Sequence, residues 1–345
     1  MLVTELLAHF RNIFSAFLIL TVSLSAQSYP DSKVDELLRK GIDKIINQHY
    51  DDAKKIFSEL DKSRSDIPLG KIYLAATEIA ESYDYESPYN HKIITDYLET
   101  AKAISKKLIE KDEKNIWNKY FLALTEGYIA YYDAIRGSWL QAVSTSLSSI
   151  SLFEDILEVD SSFHDAYIAI GTFKYWKSAK TEFLNWLPFV DDEKDLGIKL
   201  LTIAVKNSSY NYHLAVNSLV WIYIDRERFG DAIELAEKAL IKYPESRIFR
   251  WGLARAYEDI DTQRAIKEYY KVLNSYPDSL KSNKVNEVTL KHIIAQQYFK
   301  IGKKSEAKKL CEDILNIRNY TEFEKEKLGK RLKRVQNLYS ELNSY

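Results

Sequence analysis

The sequence predicts an all-α fold: a solenoid of helical hairpins with an irregular centre. Three observations point that way. The 345 residues include only 10 Gly and 6 Pro, too few of the residues that repeated β-turns require. Small and large apolar side chains recur at helical spacing in units of about 34 residues. The chain is 46% hydrophobic and 29% charged, the balance of an ordered protein whose helices each keep one face in water. At roughly 100 to 200 residues per domain, this length holds two or three domains or one extended array.

Composition also excludes several classes of function. Lys and Arg total 49 against 50 Asp and Glu, a net charge of -1, so no global field gathers nucleic acid or anionic lipid. Nucleic acid is not an expected partner. The single cysteine, Cys311, excludes an intramolecular disulfide, a CxxC redox motif and a Cys-rich zinc site.

The chain opens with Arg11, an apolar run from Ile13 to Val22, and then Ser23, Ser25 and Ala26. That is the order of a secretion signal, with cleavage expected after Ala26 and a mature chain starting at Gln27. Periplasm or secretion is the expected location. An uncleaved N-terminal anchor is the alternative reading, although interspersed Ser, Thr and Gln make a full membrane span marginal.

The clearest repeat starts at His213. Val216, Leu219, Val220 and Tyr223 fall at positions 4, 7, 8 and 11, and Ala232, Ala236, Ala239 and Pro244 at 20, 24, 27 and 32. Small residues at positions 8 and 20 let two antiparallel helices cross closely, and proline stops the second helix. Val220 replaces the usual glycine, which predicts a slightly wider crossing. The next unit places Leu253, Ala254 and Tyr257, then Ala265, Tyr269, Val272 and Pro277. A third carries Ile294, Ala295 and Tyr298, followed by Ala307, Cys311 and Ile314. The longer connection SYPDSLKSNKVNE reads as a loop or a helix extension. Leu37, Gly41, Ala53, Phe57 and Leu60 repeat the pattern near the start, and helices are expected at about 69–83, 92–110, 115–134 and 138–158. The second helix of the unit at His164 is interrupted by NWLPFVDDEKD, after which 196–205 resumes as helix. Tyr320–Tyr345 suits a capping helix with one wet face.

These positions resemble the tetratricopeptide-repeat (TPR) superfamily over about 34–318. The stretch 165–224 is also similar to the inclusion-body clearance and TPR-39 family, through Gly171 with Phe173, Leu187 with Pro188, and Gly197 with Leu200 and Leu201. The resemblance implies a helical-repeat scaffold and no catalytic residue. The divisions expected are a signal at 1–26, divergent repeats at 27–160, irregular helices at 161–212, regular repeats at 213–318 and a cap at 319–345.

Catalytic motifs are missing: GxGxxG after a strand, GxxxxGK[ST], HExxH and GxSxG are all absent. No enzyme activity, cofactor or metal is expected. Cys311 falls at a packing position and reads as core. Asp51–Asp52 and Asp191–Asp192 read as helix starts, where the backbone dipole favours negative charge. Residues 300–345 carry twelve basic against seven acidic side chains, which reads as periodic helix-surface charge. The aromatic set is denser than packing alone needs. Tyr128, Tyr131, Tyr132, Trp139, Tyr175, Trp176 and Trp186 are therefore the candidate binding residues. The expected function is a non-catalytic scaffold or adaptor that holds a protein or peptide partner in the bacterial cell envelope. The alternative is a carrier for a small apolar or glycan ligand that uses the central aromatics.

Overall fold

The computed structural model describes residues 27–182, 191–277 and 284–344. Among these residues there are fifteen α-helices and no strand. They follow one another as hairpins: α1 (Ser32–Ile46) with α2 (Tyr50–Ser63), α3 (Leu69–Asp84) with α4 (His91–Lys111), and α5 (Ile116–Ile135) with α6 (Trp139–Val159). Then come α7 (Ala166–Lys180) with α8 (Lys194–Asn207), α9 (Tyr212–Asp225) with α10 (Phe229–Lys242), and α11 (Arg247–Tyr257) with α12 (Thr262–Asn274). Finally α13 (Lys284–Lys300) pairs with α14 (Lys304–Leu315), and α15 (Glu322–Asn343) closes the stack. Each helix packs on the next, and first helices also touch first helices, as α3 touches α5, α9 touches α11 and α13 touches α15. None of the described helices is long and apolar enough to cross a membrane.

Local chemistry sets the helix ends. Asp31 accepts from the amides of Lys33 and Val34, Asn90 from Ile93, Asn115 from Trp117 and Asp261 from Arg264. Thr321 and Glu324 form a reciprocal capping box at the start of α15, satisfying two amides that the helix cannot. Asp51 and Asp52 lie in the first turn of α2, and Asp192 accepts from the Lys194 amide where α8 begins. Gly137, at φ 80°, turns the chain between α5 and α6 in a conformation that side chains disfavour.

Small residues sit where helices approach. Ala53, Ala232, Ala265 and Ala307 are fully buried, as is Cys311. A side chain at Gly197 would lie 2.6 Å from the Gly171 carbonyl oxygen, so these two glycines let α7 and α8 nearly touch. The volume that Val220 adds is taken up in the next repeat. Its Cγ1 lies 2.7 Å from where a Gly252 Cβ would stand. The connection before α13 is in part a helix extension, because α13 already begins at Lys284; residues 278–283 lie outside the described residues.

One apolar core runs from Val34 in α1 to Leu342 in α15. The stack is also tied across its own width. Asp84, the last residue of α3, meets Arg247, the first of α11, with Nε 2.8 Å from Oδ1 and both side chains about 95% buried. Arg247 also donates to the Ser275 carbonyl, and the Tyr276 ring lies 4.7 Å from its guanidinium. The Asp84 carbonyl accepts from Asn286 at 2.9 Å and from the Tyr276 hydroxyl at 3.3 Å. Burial works against the Arg247 cation, but the Asp84 hydrogen bonds outweigh it and hold the guanidinium above its ordinary value.

A second tie joins the segment before α1 to the middle of the stack. The Tyr210 hydroxyl contacts Asp35 and accepts from the Tyr29 amide. The Tyr29 ring packs edge-on against Trp117 at 5.0 Å. Asp165 accepts from the amides of Ser209, Tyr210 and Asn211, which caps α9 from the start of α7. Burial pushes the Asp165 carboxyl up, and these three amides pull it back.

Removing one partner of a buried ion pair strands the other charge, at about 3–5 kcal/mol, whereas replacing both by apolar side chains is often near neutral. Asp84→Ala is therefore expected to lower stability by about that amount, and Asp84→Leu with Arg247→Met to recover most of it. Urea unfolding of the two variants beside the parent checks this, and equal losses in both would refute it.

Candidate binding surface

The segment SYDYESPYNH, residues 82–91, turns the chain from α3 into α4. Glu86 adopts a left-handed conformation, φ 47°, and the Ser87 amide reaches back to the Ser82 carbonyl. The turn sends its tyrosines in different directions. Tyr85 packs edge-on against Tyr50 beside the Arg247 guanidinium. Tyr89 meets Tyr132 and His91. Tyr83 stays 58% exposed.

Across from this turn, α5 presents Tyr128 and Tyr131. Tyr131 is 47% exposed, yet burial, followed by Tyr83, Tyr89 and Tyr128, pushes its hydroxyl up. Burial likewise raises Tyr83, and it takes Tyr128 and Tyr89 each to about 12. Tyr83, Tyr89 and Tyr128 are thus neighbours of Tyr131 in one tyrosine cluster, of which Tyr83 and Tyr131 remain open to water.

The surface next to Glu86 is basic. Lys327 of α15 lies 3.8 Å from Glu86. Burial raises the Glu86 carboxyl, and Lys327 and Arg331 oppose that rise. Arg331 is lowered by burial and by the like charge of Arg334. Its Nη1 lies 3.3 Å from Nδ1 of His292, a ring on α13 that is 1% exposed. With Arg331 as the donor, the imidazole nitrogen is the acceptor and the ring is neutral. Burial, with Arg331 and Arg334, lowers His292 to about 4.

The aromatic residues singled out from the sequence do not share one place. Tyr128 and Tyr131 belong to the tyrosine cluster. Tyr132 and Tyr175 are core, 3% and 0% exposed, and their hydroxyls are satisfied by His91 and by Asp225 at 2.6 Å. Packing explains those two. Trp176 is half-buried against Tyr175, with the Lys180 ammonium 5.7 Å above its ring, in a separate cluster on α7. Trp139, at the start of α6, is 66% exposed. Trp186 lies outside the described residues.

Sequence reasoning missed Tyr83, Tyr89, Lys327 and Arg331. The first two sit in a visible tyrosine-rich run, and the others in the basic stretch that reads as surface charge. No group of three or more His, Cys, Asp or Glu among the described residues could hold a metal ion.

The tetratricopeptide-repeat family model matches residues 250–279, which span most of α11 and all of α12. None of the curated proteins matches. Among solved structures, the chain is similar to a thermophilic TPR protein of Thermus thermophilus, at 17% identity over 65% of this chain and 98% of that chain, TM-score 0.39. It is similar to the C-terminal part of a TPR repeat-containing protein of Cytophaga hutchinsonii, at 18% identity over 84% and 99%, TM-score 0.40. A human IFIT1 dimer with PPP-AAAA matches at 13% identity over 94% and 83%, TM-score 0.44.

The His292 imidazole sets a pH dependence. The unfolded chain takes up this proton near its ordinary value of about 6.5, the folded chain only near 4. Between those values the unfolded state holds more protons, so this contribution is complete above about 6.5 and is lost as pH falls toward 4. Thermal unfolding followed across that window is expected to show a shallower loss in His292→Gln than in the parent. Parallel curves would refute the assignment. The tetratricopeptide-repeat match at 250–279 thus falls on one hairpin of a chain whose described residues form an all-α series of helical hairpins.

Proposed function

We propose that this chain is a non-catalytic scaffold that binds a protein or peptide partner in the bacterial cell envelope, with the tyrosine cluster as the contact surface. The observation that carries this reading is the exposure of Tyr83 and Tyr131, two large aromatic side chains of one tyrosine cluster left open to water. Tyrosine offers a large, stiff contact face with a polar tip, and such side chains concentrate binding energy at interfaces. The envelope assignment rests on Arg11, the 13–22 apolar run and Ala26. A carrier would need an enclosed aromatic cavity. The clefts beside Ile314 and Leu332, and beside Lys54 and Lys62, are not lined by these tyrosines.

The test is capture from native envelopes with the tagged chain. Tyr83→Ala with Tyr131→Ala is expected to keep its circular dichroism and to lose about 2 kcal/mol or more of binding energy for the captured partner. Lys330→Ala, at an exposed position outside the tyrosine cluster, is expected to bind within a few-fold of the parent. If the tyrosine variant binds normally, the cluster is not the contact surface. Intact-mass measurement of the exported chain is expected to show loss of the first 26 residues; a full-length chain that resists alkaline carbonate would instead mark an anchor.

A further inference from the structure

From Lys327 to Arg334 five of the eight residues are cations and none is an acid. Lys327, Arg331 and Arg334 stand four and three residues apart and so share one face of α15. That face meets the α3–α4 turn at Lys327, whose Nζ lies 3.8 Å from the Glu86 carboxylate. Arg331 is half-buried and spends an Nη1 proton on the neutral His292 ring, 3.3 Å away. Among the described residues no carboxylate lies within ion-pair distance of Arg331 or Arg334. The acids nearest in the fold are engaged elsewhere: Glu324 accepts from the amides of Thr321 and Lys284, and Glu287 pairs with Lys291.

A single carboxylate therefore serves three cations. A partly buried cation is costly unless an acceptor meets it, and burial with the like charge of Arg334 works against Arg331, opposed by Glu86 alone. A guanidinium carries five donors in a planar fork that fits a carboxylate at two points. One Arg331 donor is used on His292, and no side chain among the described residues supplies the carboxylate.

We propose that the face formed by Lys327, Arg331 and Arg334 takes carboxylate side chains of an acidic peptide, and that Glu86 is the chain's own competitor for it. This rests on the partner-binding reading and names the partner's chemistry. Glu86 shows the ligand class, because a carboxylate carried on a tyrosine-rich turn already sits against Lys327. The same residue disfavours a polyphosphate. A peptide can place an uncharged residue beside Glu86, whereas every unit of a nucleic acid and every headgroup of an anionic bilayer brings a charge. The net charge of -1 gives no long-range pull on a polyanion. Tyr83 on the same turn is exposed and offers an aromatic face for the peptide's uncharged residues.

The experiment titrates the full chain with a fluorescent decapeptide of alternating Glu and Tyr, beside its Gln and Tyr counterpart, a deoxythymidine decamer and phosphatidylglycerol vesicles. The acidic peptide is expected to bind saturably and about tenfold tighter than the Gln peptide. Lys327→Gln with Arg334→Gln, both at exposed positions, is expected to weaken it about tenfold with unchanged circular dichroism. Glu86→Gln is expected to tighten it several-fold, a gain that damage to the fold would not produce. Absence of saturable binding, equal binding of the two peptides, or a double variant that binds like the parent would overturn the proposal, and a Glu86→Gln variant that binds no tighter would remove the competitor. Binding of the decamer or the vesicles in preference to the acidic peptide, lost in the double variant, would overturn it in favour of a phosphate surface. If the captured partner depends on Tyr83 and Tyr131 but not on Lys327 and Arg334, this inference fails while the tyrosine surface stands; if it depends on the cations alone, the tyrosine surface fails and this inference stands.

Discussion

The buried pair between Asp84 and Arg247 governs the architecture. In a simple repeat array each hairpin touches only its neighbours, and stability is a sum of local terms. Here residues 163 positions apart share three hydrogen bonds and exclude water from both charges. The Tyr276 hydroxyl and the Asn286 amide converge on the same Asp84 backbone carbonyl. The third and eleventh helices are thereby fixed relative to one another, and the helices between them must follow a path of set curvature. The tie at Tyr29, Asp35 and Tyr210 fixes the same path from another point.

This closure also places the tyrosine cluster. Glu86 follows Asp84 by two residues, so anchoring Asp84 sets where the α3–α4 turn lies. It is this turn that carries Tyr83 and Tyr89 and that meets Lys327. Glu86 thus brings a basic helix far away in sequence next to the turn that carries the tyrosines. The inner surface along α9 and α11, by contrast, is partly occupied by the chain itself. Arg39 donates to the Ser209 carbonyl, and Gln48 accepts from the Arg247 amide.

The sequence was legible wherever the deciding chemistry is local. Helices expected at 92–110 and 138–158 are His91–Lys111 and Trp139–Val159, because the Asn90 side chain caps the start of the first and Asp160 ends the second. The alanines at helix crossings were readable for the same reason: their spacing is a property of one hairpin. Pairing across the solenoid was not readable. Nothing adjacent to Asp84 names Arg247 as its partner. Nor does an aromatic residue state which way it faces. Tyr132 and Tyr175 looked like surplus surface because their hydroxyl partners, His91 and Asp225, are supplied by other helices, whereas Tyr131, one residue from Tyr132, is open to water. The wider crossing expected at Val220 is absorbed at Gly252, a compensation visible only once the two repeats are stacked.

The long tie has a consequence for the order of folding. A ribosome delivers α3 long before α11, so Asp84 must wait in water, charged and solvated, until Arg247 and Asn286 have been made. The early hairpins can form on their own local contacts, but the loop that joins the two ends of the tie is among the longest the chain can close, and non-local closure of this kind is slow. Until Arg247 has been made, the first half of the chain lacks the cation that neutralises Asp84 in the finished fold.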